Sequence, residues 1–241
     1  MSSRRRCNAI KSIQVHGNYV EGVSNIREAV FQHFSSHYKS TMEVRPGVEG
    51  LAFHKLSIAE SNSLTRSFSL DEVRNAIWDC DSFKRPGPDG ISFAFIKQFL
   101  ELLKDDFKRF LTEFHCNGKL TKGINSTFIA LITKVVSPQR LNDFRPISLV
   151  GSTYKVLAKV LANRLRSVIG SVIFDSQSAF VKGKQILDGI LIANEVVNES
   201  CRFNKDLIMF KVDFEKAYDS VDLKYLDSVM YQIKFPTLWR N

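Results

Sequence analysis

The sequence predicts an α+β fold, in which helices precede and surround a few strands. Two observations favour this class. Apolar residues recur every three to four positions through much of the chain, whereas only two short runs, TFIALITK at 127–134 and LIMFKVD at 207–213, have the length and composition of strands. Hydrophobic residues make up 44% of the 241 residues and charged residues 24%, which is typical of a folded chain.

Positive charge exceeds negative charge, with 34 Lys and Arg against 25 Asp and Glu and a net charge of +9. This excess favours an anionic partner, nucleic acid first and an acidic membrane second, and leaves open a basic soluble protein without such a partner. No apolar stretch has the roughly 18 residues of a spanning helix, so no spanning helix is expected. Of the two anionic partners we expect nucleic acid and no membrane. The cysteines are too widely spaced for a zinc site or a redox pair, and we expect reduced thiols with no disulfide partner at Cys7, Cys80, Cys116 and Cys201.

The N-terminal third predicts two helices separated by a linker. Helical spacing marks the apolar side of the first helix, formed by Ile26, Val30, Phe34 and Tyr38. Over residues 41–66 the pattern weakens and proline and glycine appear, which predicts a linker or extended arm. The next helix begins after Ser69, because Ser69 and Glu72 form a Ser-x-x-Glu capping box ahead of apolar residues.

The middle of the chain predicts a loop, a long helix and one strand. Two prolines and two glycines in FKRPGPDG, residues 83–90, cannot continue a helix and predict a shaped loop. The helix that follows ends at NGK, residues 117–119, and its apolar side comprises Ile96, Leu100, Leu103, Phe107, Phe110 and Phe114. TFIALITK predicts a short buried strand, and residues 135–150 predict an irregular segment.

Residues 152–170 predict the best-defined helix of the chain. Its apolar stripe is formed by Leu157, Leu161, Leu165 and Val168. Its basic side is formed by Lys155, Lys159, Arg164 and Arg166. A basic, glycine-containing turn follows and leads into another helix through residues 186–197.

The stretch LIMFKVDFEKAYDSVD, residues 207–222, is an apolar run that ends on an acidic residue. The alternation of a strand places Asp213 at the strand end, on the less apolar face. Asp219 or Ser220 can cap the helix that follows. These residues alone fit a structural role, a strand-end carboxylate with helix-capping acids, and they also fit a Mg²⁺ site for phosphoryl transfer, since Mg²⁺ takes one or two protein carboxylates plus substrate oxygens.

Five segments together resemble the reverse transcriptases of non-LTR (LINE-type) retrotransposons. FKVDFEKAYDSVD is similar to the first catalytic motif of that family. Upstream, FKRPGPDGISFAFIK, FIALITK with NDFRPISL, YKVLAKVLANRL and QSAFVKGKQILDGILIANE resemble its preceding blocks, in the family's order and at roughly its spacing. The resemblance covers residues 69–241. It implies a partial right-hand polymerase, with an N-terminal linker or extension at 1–68, fingers at 69–204 and the start of the palm at 205–241.

The resemblance also implies roles for single residues. Asp213 matches the first metal-binding aspartate, which would be catalytic, and Phe214 matches the position whose backbone carbonyl also reaches Mg²⁺. Tyr218 matches the aromatic side chain that disfavours a 2′-hydroxyl on the incoming nucleotide. Arg145 matches an arginine expected on the triphosphate, with Lys134 assisting, because a guanidinium binds phosphate oxygens in a fork. Template contacts are implied for a further set of residues, Gly87, Gly90, Lys182 and Lys184.

The implied partners are an RNA template, a DNA primer and deoxynucleoside triphosphates, and the implied reaction is extension of the primer 3′-hydroxyl with Mg²⁺. In the family, an aromatic-Ala-Asp-Asp hairpin downstream supplies the other carboxylates. The 241 residues contain no such motif, so we expect this chain not to polymerise on its own. Two alternatives remain open: a non-catalytic nucleic-acid-binding module, which would bind through the basic helix side, and an inert retrotransposon remnant. The residues leave the localisation, nuclear or cytoplasmic, unknown.

Overall fold

The computed structural model describes residues 10–15, 17–37, 46–174, 176–177, 181, 183–210, 212 and 221–240. The chain divides into two units, the first made of residues 1–43, 85–91 and 125–151 and the second of residues 44–84, 92–124 and 152–241. The strands are β1 Ser12–Val15, β2 Asn18–Glu21, β3 Thr127–Thr133 and β4 Phe144–Val150. The helices are α1 Val23–His37, α2 Ile58–Thr65, α3 Leu70–Trp78, α4 Phe93–Gln98, α5 Leu100–Asn117, α6 Ser152–Val172, α7 Ile186–Phe203, α8 Leu223–Gln232 and α9 Thr237–Arg240.

The first unit is built from two antiparallel hairpins and helix α1. Strands β1 and β2 pair with each other, and Gln14 of β1 donates its backbone N–H to the carbonyl of Gln139 at 2.7 Å. A small core of Ile13, Ile26 and Leu141 joins β1, α1 and the 3₁₀ turn Leu141–Asp143. Its apolar residues are 0 to 8% exposed, so this contact fixes the turn that precedes β4 against the N-terminal hairpin.

Strands β3 and β4 form the second hairpin of this unit, in register from Thr127 opposite Val150 to Thr133 opposite Phe144. Phe144 is buried, and Leu131, on the same face, packs on the core of the unit. The predicted buried strand is therefore correct in position but wrong in burial, since a two-stranded sheet is covered on one face only. The predicted irregular segment is wrong over residues 144–150. Pro146 argued against a strand in the sequence, because proline lacks the N–H that pairs strands. It is tolerated in β4 because each strand of a two-stranded hairpin has an open edge where no N–H is required.

The second unit has two cores. The larger core joins α3, α4, α5 and α6 through residues such as Ile77, Ile96, Leu111 and Val160, each no more than 1% exposed. The smaller core joins α2 and the end of α6 to the segment around Phe235. The predicted capping box is confirmed, because the Ser69 hydroxyl accepts from the Glu72 backbone and the Glu72 carboxylate accepts from the Ser69 backbone.

Two helical predictions in this unit are corrected by the structure. Residues 41–66 are not only linker, because α2 lies there and carries its own capping box between Ser57 and Glu60. The predicted long helix is two helices, separated at Phe99, whose φ of −107° and ψ of 19° interrupt the helix while Ile96 and Leu100 stay in one core. Its end at Gly118 is confirmed, with a left-handed φ of 63° that favours glycine.

Arg164 is buried inside the second unit and does not lie on a basic surface. The predicted basic side of the 152–170 helix is wrong at this residue, whose side chain is 4% exposed. Its guanidinium donates two hydrogen bonds to the Glu72 carboxylate, at 2.8 and 2.9 Å, and others to the carbonyls of Leu64, Arg66 and Ser67. The guanidinium also stacks 4.2 Å from the ring of Phe68. All five donor N–H groups are used, which is what allows a charged side chain to be buried here.

The C-terminal part differs from the prediction at the strand. Residues 207–210 and 212 form no strand, and Ile208 is 97% exposed. Nothing in the described part of the chain pairs with them, and an isolated extended segment has no ladder to hold it. Helix α8 is confirmed, and its cap is Asp222, whose carboxylate accepts from the backbone of Lys224 and Tyr225. The predicted caps, Asp219 and Ser220, lie outside the described residues.

The mixture of predominant helix with small sheets agrees with the predicted α+β class. The right-hand arrangement and the boundaries at residues 68 and 204 stay predictions. Within the described ranges, no helix combines the length and apolar character that crossing a membrane requires. The cysteines described, Cys80, Cys116 and Cys201, are free thiols.

Candidate functional site

Four of the predicted site residues lie outside the described residues: Asp213, Phe214, Tyr218 and Lys182. Their predicted roles in metal, nucleotide and template binding therefore stay predictions. Within the described ranges, no three His, Cys, Asp or Glu side chains are grouped so as to hold a metal ion. The residues that remain for a site built from geometry are Arg145, Lys134, Gly87 and Gly90 in the first unit and Lys184 in the second.

Arg145 lies on the open face of the β3–β4 hairpin. Directly paired residues place their side chains on the same face of a sheet, and Arg145 pairs with Ile132. Ile147, two residues along β4, shares this face, and it and Ile132 are 43% and 51% exposed. Arg145 is exposed as well, and its side chain makes no hydrogen bond or ion pair with the residues that the structure describes. The face therefore presents an unengaged guanidinium beside an apolar surface.

Sequence reasoning missed this face, although it selected Arg145. Treating residues 135–150 as irregular gave Arg145 no cross-strand neighbour and no orientation. The alternation of apolar residues in TFIALIT was a signal that a second strand pairs with it. The register then determines which apolar side chains accompany the arginine.

The connection between β3 and β4 is fixed by hydrogen bonds around Lys134 and Asp143. The backbone N–H of Lys134 donates to the carbonyl of Asp143 at 2.7 Å, and its ammonium donates to the carbonyl of Asn142 at 3.0 Å. The Asp143 carboxylate accepts from the backbone of Arg140 and Gln139 at 2.8 and 2.9 Å. These backbone hydrogen bonds lower the pKa of Asp143 below its usual range. Lys134 thus closes the loop and still has N–H groups for another acceptor.

Gly87 is buried against the end of β4. A Cβ atom at this position would collide with the carbonyl group of Val150 and lie 2.5 Å from the nitrogen of Gly151. Close backbone packing therefore explains this glycine without a ligand. Gly90 is exposed, forms a turn with the Gly87 carbonyl and has a left-handed φ of 67°. A template contact at either glycine stays a prediction.

Two basic residues of helix α6 are engaged by neighbouring side chains of the second unit. Lys159 forms an ion pair with Asp79 at 3.4 Å, and Arg166 donates to the side chain of Asn163 at 3.2 Å. Lys184 is half-buried, and its backbone N–H bonds the carbonyl of Val181. With Arg164 buried, the basic helix side offers fewer available charges than its sequence suggests.

Comparison with known proteins finds similarity to a reverse transcriptase family model and to proteins of transposable elements. Residues 133–241 match the family model described as reverse transcriptase (RNA-dependent DNA polymerase). The chain is 32% identical over 172 residues to the transposon TX1 uncharacterized 149 kDa protein of Xenopus laevis, which covers 71% of this chain and 13% of that protein. It is 30% identical over 161 residues to the retrovirus-related Pol polyprotein from type-2 retrotransposable element R2DM of Drosophila melanogaster, covering 64% of this chain and 15% of that protein.

A third relative is the retrovirus-related Pol polyprotein from type-1 retrotransposable element R2 of Nasonia vitripennis. It is 24% identical over 184 residues, which cover 76% of this chain and 17% of the relative. The chain therefore spans less than a fifth of the length of these curated relatives.

Proposed function

Because residues 133–241 match the reverse transcriptase family model and the chain is similar to proteins of transposable elements, we propose that the chain is part of a non-LTR retrotransposon reverse transcriptase and contributes to RNA-directed DNA synthesis. In this role it binds an RNA template, a DNA primer and a deoxynucleoside triphosphate. The open face of the β3–β4 hairpin is the part that meets the nucleotide. The observation that carries this assignment is Arg145, an exposed guanidinium without an internal partner in the described chain.

The chemistry of this face suits a nucleoside triphosphate. A guanidinium stays charged at every physiological pH and donates two parallel hydrogen bonds to phosphate oxygens. Ile132 and Ile147 offer apolar surface beside it for the sugar or base. Lys134 closes the loop at the end of the hairpin, so the cations are held by a rigid backbone, and less entropy is lost when ligand binds.

Mg²⁺ is the metal proposed for this function. A carboxylate from Asp213 and a backbone carbonyl from Phe214 are hard oxygen ligands of the kind that Mg²⁺ prefers. The ion would offset negative charge on the triphosphate, and Tyr218 would discriminate against a 2′-hydroxyl by its bulk. Lys182 and Lys184 are proposed to contact template phosphates.

Photo-crosslinking tests the nucleotide-binding face directly. The 241-residue chain would be mixed with an RNA template, a DNA primer and a photoreactive deoxynucleoside triphosphate, and labelled peptides would be mapped. We expect label within residues 127–150 and about tenfold weaker nucleotide binding for Arg145→Ala, the loss expected for one charge-assisted contact. Arg109→Ala is the matched control, because Arg109 is an exposed arginine that pairs with Asp106. Equal binding by both variants would contradict the assignment.

Primer extension separates a polymerase from a non-catalytic nucleic-acid-binding module. The expectation that this chain alone does not extend a primer stays a prediction. Extension that is lost in Asp213→Ala would contradict that expectation and support catalysis at Asp213. Binding without extension, weakening steeply with salt, would favour the binding module.

A further inference from the structure

A cavity of about 820 Å³ lies within the first unit, between β1, β2, α1 and the 3₁₀ turn. Its volume falls in the range of small-ligand sites, about 300–1,000 Å³. One part of its lining is apolar and comes from Val15, Val20, Ala29 and Leu141, which belong to the core of the unit or pack against it. Because these residues are held by the core, this floor is preformed.

The rest of the lining is polar and contains one cation held in place. The Nε–H of Arg140 donates to the side-chain oxygen of Gln14 at 3.4 Å. The other N–H groups of this guanidinium make no hydrogen bond with the described residues, although its charge also acts on Asp143. Arg140 is thus oriented by one weak hydrogen bond and keeps four donors for a ligand at the cavity.

A carboxylate and an amide face the same cavity from helix α1. Gln32 donates to the Glu28 carboxylate at 2.8 Å, which leaves the Gln32 carbonyl and the second Glu28 oxygen as acceptors. Asn142 adds a further amide from the 3₁₀ turn. A bare phosphate ion would be repelled by Glu28, whereas a base with N–H donors would be attracted by the same oxygen. The mixture therefore favours a ligand with separate anionic and N–H-bearing parts.

We propose that this cavity binds one unstacked nucleotide of single-stranded RNA. The flat base lies on the apolar floor, its N–H edge meets Glu28 and Gln32, and its phosphate meets Arg140. Bases that are splayed out of a single strand are commonly recognised in this way, by apolar contact on the face and hydrogen bonds at the edge. The inference rests on the proposed function in one respect, since a polymerase that copies RNA must bind an unpaired RNA strand.

RNA binding by the full 241-residue chain provides the test. Fluorescence anisotropy would follow a labelled 12-nucleotide RNA at several salt concentrations, with variants Arg140→Ala and Glu28→Ala. We expect Arg140→Ala to weaken binding about tenfold and to reduce the salt slope by about 0.7, the loss of one phosphate contact to a single strand. Arg27→Ala is the matched control, since Arg27 is an exposed arginine of α1 that does not line the cavity. Thermal unfolding would verify that each variant is folded.

Three further arms separate the competing explanations. Free mononucleotide that binds in titration calorimetry, with no effect of Arg140→Ala on RNA affinity, would overturn the RNA assignment. RNA carrying 4-thiouridine should crosslink to peptides from residues 14–36 or 139–142, and crosslinks confined to other peptides would overturn the cavity. Two separate readouts distinguish the two proposals, because Arg140 is assigned to RNA and Arg145 to the nucleotide. Unchanged RNA binding by Arg140→Ala with weaker nucleotide binding by Arg145→Ala removes the cavity and keeps the hairpin face. The opposite pair of results keeps the cavity and removes the hairpin face, and no loss in either assay removes both.

Discussion

Replacing Arg164 with methionine should greatly lower the free energy of unfolding of the second unit, although the sequence suggests that Arg164 is an exposed residue on a basic helix side. Methionine is of similar length and apolar, so it removes the charge and all five N–H donors while keeping much of the volume. The Glu72 carboxylate loses its bidentate partner, and the carbonyls of Leu64, Arg66 and Ser67 lose their donors.

The structure gives the magnitude by two routes. Removing one partner of a buried ion pair costs about 3–5 kcal/mol. Glu72 keeps its 3.3 Å ion pair with the exposed Arg66, so we expect a loss at the lower end of this range. Burial acts to raise the pKa of Glu72, but hydrogen bonds from Arg164 and Ser69 and the charges of Arg164 and Arg66 outweigh it and lower this pKa to about 2. That lowering is worth about 3 kcal/mol of favourable interaction. Against a total stability of about 5–15 kcal/mol, the expected loss is large.

Urea unfolding followed by tryptophan fluorescence measures this loss. Both tryptophans, Trp78 and Trp239, belong to the second unit, so the signal reports on the unit that contains Arg164. Arg109→Met removes an exposed arginine and should change the free energy of unfolding by less than about 0.5 kcal/mol. If Arg164→Met destabilises the unit no more than Arg109→Met does, the hydrogen-bond network around Arg164 does not stabilise the fold.

Two further predictions concern acid stability and backbone packing. Because folding lowers the pKa of Glu72, the stability that Glu72 contributes is present above a pH of about 4.5 and is lost as the pH falls towards 2. Glu72→Gln should therefore be less stable at neutral pH. In urea unfolding, this variant should lack the decline in stability of about 3 kcal/mol over that pH interval. Gly87→Ala should weaken the β3–β4 hairpin, seen as faster amide hydrogen exchange in residues 127–150, because its Cβ collides with the Val150 carbonyl. Gly170→Ala is the control, since its helical position has space for a Cβ and the change should stabilise the protein by up to about 1 kcal/mol.

Local signals in the sequence predicted the helices well. Helix α3 was found because a capping box and an apolar period coincide within nine residues, and the end of α5 was found because Gly118 supplies a left-handed residue. The same capping-box rule applies to Ser57 and Glu60 and identifies α2. The prolines and glycines just before this helix favoured a linker instead. Local rules succeed where the interaction that stabilises an element is itself local.

What the sequence did not predict depends on residues distant along the chain. In the sequence, Arg164 has the spacing of a solvent-exposed cation. Its partner Glu72 lies 92 residues away along the chain, so the sequence gives no local sign of the pair. The Arg145 face needed the partner strand before its apolar neighbours could be named. The triphosphate contact that the resemblance implies for Arg145 stays a prediction. The resemblance indicated nothing about the cavity beside Arg140, which is formed by three segments that folding brings together.

The distance between Glu72 and Arg164 also bears on synthesis by the ribosome. At translation rates of about 5–20 residues per second, Arg164 is added roughly 5–20 s after Glu72. The capping box between Ser69 and Glu72 is local, so α3 can begin before Arg164 has been made. The same carboxylate later pairs with Arg164 in the folded unit. Folding of the second unit can be completed only after residue 164 has left the exit tunnel.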